Sequence, residues 1–60
     1  MTWTLVLTLF FTNREPRIIT IPSWLTETHC YVAGGILEEE HSKDKNMTWA
    51  TISCKQEGNS

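Results

Sequence analysis

No segment of this 60-residue chain stays apolar for the ~20 residues that a membrane-spanning helix needs. The most apolar run, Leu5 to Phe11, stops at Asn13-Arg14-Glu15. It also lacks the basic flank and small-residue cleavage site of a signal peptide. The run therefore reads as a strand, and the expected location is the cytoplasm. Repeats and low-complexity tracts are missing too, with only three Gly and two Pro in the chain. A disordered or linker segment is not expected from that composition.

A basic patch is equally absent. The five basic residues, Arg14, Arg17, Lys43, Lys45 and Lys55, are interleaved with seven acidic ones, for a formal net charge of -2. Binding nucleic acid directly through phosphate contacts needs a concentration of positive charge, so that class is excluded. The acidic excess is too small to imitate a nucleic acid.

The motifs of chemistry are missing as well. Cys30, Cys54, His29 and His41 are metal-ligand types, but no Cys-x-x-Cys or His-x-x-x-His pair orders them. On a helix, His29 and Cys30 would point about 100° apart. Gly34-Gly35 lacks the spacing and following Lys of a phosphate loop. A Cys–His dyad can be drawn on paper, yet no oxyanion donor accompanies it. A chain this short has little room for a cleft of even ~300 Å³. We expect no catalytic residue, no metal and no cofactor. Asn46-Met47-Thr48 matches the N-glycosylation pattern and, with no secretory signal, is read as chance.

What the chain does have is strong local patterning, with 40% hydrophobic residues. Trp3, Leu5, Leu7, Leu9 and Phe11 alternate with Thr4, Val6, Thr8, Phe10 and Thr12. Period-two alternation predicts a half-buried strand over about 3–12, with the odd residues as core. Asn13 to Pro16 is a turn. Arg17 to Ile21 is a second strand, ended by Pro22. Ile19 and Ile21 join the core face only if the connection is odd, which predicts a five-residue loop or a bulge near Pro16.

A helix follows over about 27–40. Thr26 is its N-cap, Glu27 suits the dipole, and Leu25 with Cys30 has the spacing of a hydrophobic staple. Cys30, Ala33, Gly34 and Leu37 form the apolar stripe, joined by His41 and flanked by Val32 and Ile36. Two adjacent glycines weaken a helix by ~2 kcal/mol, so they imply either a break or close packing on the sheet. The continued periodicity to Leu37 favours packing. The last strand, about 47–55, divides Ala50, Ile52 and Cys54 from Met47, Trp49, Thr51 and Ser53. The polar tail, Gln56 to Ser60, is expected to fray.

These elements predict one α+β domain over 1–60: ββαβ, a three-stranded sheet of order 2-1-3, and one helix on one face. A single helix leaves the other sheet face open. Val6, Phe10, Ile18 and Trp49, with Met47, would then form an exposed apolar patch, and such patches mark contact surfaces. A homodimer and a foreign protein fit that face equally. Glu38, Glu39 and Glu40 at the helix end are a second contact candidate. Cys30 and Cys54 can both face the core, where a disulfide would staple the domain by ~3 kcal/mol; two reduced buried thiols are the alternative.

Two strands, a capped helix beginning Thr26-Glu27-Thr28-His29-Cys30-Tyr31-Val32-Ala33, and a last strand with Ser53-Cys54 resemble short phage- and prophage-encoded accessory proteins. The resemblance implies a mobile-element protein that binds and blocks a host or defence protein, as anti-CRISPR and other anti-defence inhibitors do. It carries no site residues across. The expectation is therefore a non-enzymatic inhibitor in the cytoplasm of an infected bacterial host. Its partner would be a larger protein or a protein–nucleic-acid complex, with no direct nucleic-acid or membrane contact. The alternative is an exported, disulfide-stapled protein that associates with itself.

Overall fold

The alternation of the first segment becomes strand β1, Trp3–Phe11, in a computed structural model that describes residues 1–57. Its odd-numbered leucines, Leu5, Leu7 and Leu9, are fully buried. Strand β2 covers Arg17–Trp24, helix α1 covers Glu27–His41 and strand β3 covers Met47–Gln56. Both outer strands pair antiparallel to β1, giving the order β2-β1-β3. The fold is α+β, with the ββαβ element order and one helix. The centre went to the most apolar strand because only a central strand is sheltered on both edges.

Residues 12–16 connect β1 to β2. This five-residue connection sets Ile19 opposite Leu7 and Ile21 opposite Leu5, so the isoleucines join the leucine face. Arg14 fixes the turn from above: it lies 4.4 Å over the Phe11 ring and bonds Asp44 at 2.9 Å. The Thr12 amide donates to the Asn46 carbonyl, tying this loop to the one before β3.

Strand β2 does not end at Pro22 as its sequence suggests. It runs on to Trp24 through a bulge, because Trp3 pairs with Trp24 while Leu5 pairs with Ile21. Proline is tolerated at a bulge in an edge strand, where its missing N–H breaks no ladder bond. Ser23 takes the left-handed conformation there, with φ 74°. A second bulge, at Thr48, shifts the pairing so that Met47 comes opposite Phe11. Met47 consequently leaves the face that carries Trp49, where alternation alone had placed it.

Thr26 caps α1, its hydroxyl accepting the His29 amide at 3.1 Å. The staple does not form: Leu25 is 76% exposed. Cys30 and Gly34 are the buried residues of the helix. A Cβ on Gly34 would lie 2.6 Å from Ile52 Cγ2 and 3.1 Å from Leu5 Cδ1, so the helix rests directly on β1 and β3. Gly35 has nothing within 4 Å and serves no packing role. The helix therefore continues through both glycines because the first removes an obstacle to burial. Cys30 and Cys54 are joined by a disulfide across this contact, with their Cα atoms 6.2 Å apart. Trp3, Ile21, Trp24, Ala33, Leu37 and Ile52 surround the bridge.

Candidate functional site

Since the helix takes the leucine face, the even-numbered residues of β1 face the other way, with their cross-strand partners. This open face has two unlike ends. At one end Phe10 stands opposite Trp49, the rings stacked with centroids 4.3 Å apart and planes 9° from parallel. Ile18, opposite Thr8, is the diagonal neighbour of Phe10. Trp49 and Ile18 are more than half exposed, at 55% and 65%. Val6 is half-buried and lies farther along, between Thr20 and Ser53. The structure thus brings Phe10, Trp49 and Ile18 together at one end, and separates Val6 from them by the Thr8 row. Met47 belongs with Phe11 instead.

At the opposite end the surface is polar. The Glu57 carboxylate accepts the Thr2 hydroxyl at 2.7 Å, the Thr4 hydroxyl at 2.9 Å and the Ser23 amide at 2.8 Å. Bonds to the charged form favour it, and those from Thr2, Ser23 and Thr4 hold the Glu57 pKa below its ordinary value of 4.5. This clasp links the end of β3 to the bulge of β2 across β1. The polar composition of Gln56 to Ser60 predicts a frayed tail, but Gln56 is the last residue of β3 and Glu57 forms this clasp. Residues 58–60 lie outside the described residues. No local signal marks Glu57, because its hydroxyl partners stand more than fifty positions away in the chain.

Helix α1 carries the remaining candidates on the other side of the molecule. Glu38 is half-buried, whereas Glu39 and Glu40 are exposed. Glu40 lies 3.6 Å from Lys43, a solvent-exposed pair of little energetic weight. These acids and the Phe10–Trp49 end are on opposite sides of the sheet, so one flat partner surface cannot touch both. Val32 and Ile36 are also more than half exposed, at 54% and 57%, and do not support the buried stripe.

Among the described residues no pocket is present and no three His, Cys, Asp or Glu side chains gather to hold a metal. His29 is exposed and His41 half-buried. Cys30 and Cys54 are both in the disulfide, so neither is a free thiol nucleophile. No helix among the described residues is long and apolar enough to cross a membrane. No protein family, curated protein or solved structure matches this chain.

Proposed function

We propose that this chain is a non-enzymatic binding domain that blocks a functional surface of a larger protein through the open face of its sheet. The observation that carries the reading is the exposed Phe10–Trp49 stack beside Ile18. A stacked aromatic pair is rigid, so little conformational entropy is lost when a partner covers it. Trp and Phe are also enriched at interface cores, and Trp among residues that dominate binding energy. The kind of target, a host or defence protein met by a phage or mobile element in the bacterial cytoplasm, rests on the resemblance described above. The acidic turn of α1 would be a separate contact, suited to a partner that normally holds nucleic acid.

The disulfide favours a second reading, an exported protein that associates with itself, since such bonds persist in oxidising compartments. A free-thiol assay on unreduced protein from its native source separates the two: bridged cysteines favour export, and free thiols favour the cytoplasmic inhibitor.

The inhibitor reading is tested by affinity capture from bacterial lysate with the native chain, Phe10→Ala, Trp49→Ala and, as a control on the other side, Val32→Ala. One dominant protein that Phe10→Ala and Trp49→Ala both lose, and Val32→Ala keeps, is the expected result. Retention by both aromatic variants, with circular dichroism showing an intact fold, would remove the open face from the binding mechanism.

A further inference from the structure

The two edges of the sheet are not equally open. Glu57 N donates to the Thr2 carbonyl at 2.8 Å, which makes Thr2 and Glu57 a hydrogen-bonded pair. Continuing in register, Thr4–Lys55, Val6–Ser53, Thr8–Thr51 and Phe10–Trp49 are pairs of the same kind. The residues between them in β3, Ala50, Ile52, Cys54 and Gln56, therefore direct N–H and C=O away from β1. None of these outward groups has a hydrogen-bond partner among the described residues. The same alternation in β2 leaves only Ile18 and Thr20 with outward donors. The next outward place is Pro22, which has no N–H, and then the strand bulges at Ser23, whose amide is already bonded to Glu57. Proline and a bulge are the features that close an edge to further pairing; β3 has neither from Trp49 to Gln56.

We propose that the β3 edge pairs antiparallel with the β3 edge of a second copy of this chain, centred on Ile52, to form a six-stranded sheet. Two-fold pairing about Ile52 sets Ala50 against the second copy's Cys54, so that three outward residues of each strand exchange hydrogen bonds. The same register makes the open-face side chains complementary. Thr51 comes opposite Ser53 of the other copy, and Lys55 comes opposite its Trp49. Phe10 covers the Trp49 ring from the β1 side, so the free face of the indole is the one turned toward the edge. Lys55 makes no ion pair among the described residues and supplies a cation for that face. No two like charges stand opposite each other in this register. Because the two-fold axis is perpendicular to the sheet, both Phe10–Trp49 ends lie on one side. This pairing goes beyond the inhibitor reading and does not rest on it.

The test is the mass of the oxidised 60-residue chain by sedimentation equilibrium, with versions made by chemical synthesis. A dimer is expected for the native chain. An N-methyl group on Ile52 removes the central outward donor from both strands and should weaken dimerisation at least ~tenfold. The same group on Ile18, at the β2 edge, should leave the dimer unchanged. The double substitution Thr51→Lys with Ser53→Lys sets lysines opposite each other across the two-fold axis, and this chain should be monomeric with an unchanged circular dichroism spectrum. A monomeric native chain would overturn the proposal, as would a dimer lost through N-methyl-Ile18 and kept through N-methyl-Ile52. A persistent dimer in the folded double-lysine chain would overturn the register. Capture of a foreign protein by a strictly monomeric chain would leave the inhibitor reading standing and this one refuted.

Discussion

Adjacent residues of β1 live in different worlds. Leu7 is fully buried beneath α1, whereas Thr8 faces outward between Ile18 and Thr51. The helix side is held by steric fit: three leucines, a disulfide and a glycine with no room for a methyl. The open side is held by a few directional contacts, an aromatic stack at one end and the Glu57 clasp at the other. Stability should therefore concentrate on one face of a single strand, leaving the other free to change with little cost to the fold. That division would suit the binding role proposed for this chain, since contact residues could vary without unfolding their support.

The most severe break in this comparison is Leu7→Ala. Emptying a core site costs ~2–5 kcal/mol, a large share of what so small a domain can have. Thr8→Ala, one residue away on the open face, should stay within about 0.5 kcal/mol. Chemical denaturation of the two variants measures both; equal losses would abolish the distinction between the faces.

Smaller effects come from the paired glycines. Gly34→Ala places its methyl against Ile52 and should destabilise by ~1–3 kcal/mol through overpacking. Gly35→Ala meets open space and should stabilise by ~0.5–1 kcal/mol, since alanine is the better helix former. Thermal melts should move in opposite directions for these neighbours. A loss at both would mean that the helix needs flexibility at this point, independent of contact with the sheet.

The smallest effect concerns pH. The folded pKa of Glu57 is lowered, so its stabilising contribution is complete above the ordinary value of 4.5 and disappears as pH falls through the folded value. Asp44 behaves alike below 3.8, held down by the Asn46 amide and then by Arg14. Melting temperature should be flat above this window and decline within it. Glu57→Gln should make the decline shallower; an unchanged slope would show that the clasp contributes nothing to the folded state.

Much of the architecture was readable from residue order because it depends on short-range periodicity. The alternation of β1, the Thr26 cap and the odd connection before Arg17 all operate within a few residues. Gly34 was readable as a close approach because the apolar stripe continued past it. The errors arose where one strand answers to another. Pro22 looked like a strand end, but an edge strand can pass through proline at a bulge, and Trp24 completes the core beyond it. Met47 was assigned by alternation to the wrong face because the Thr48 bulge belongs to the pairing of two strands. Leu25 had the spacing for a staple, yet spacing alone does not bring Cys30 toward it once Cys30 is drawn into the disulfide and the core.

By itself, the sequence determined which face of β1, and of β3 from Trp49 onward, is apolar, since hydrophobic period and backbone geometry are local matters. It also determined that one helix would leave one sheet face uncovered. Only the tertiary structure decided that Phe10 and Trp49 would stack, that Glu57 would gather Thr2, Thr4 and Ser23, and that β3 would keep the open edge. Each of these depends on register between segments distant in the chain. Register follows from the global packing of the helix on the sheet and from bulges of a single residue.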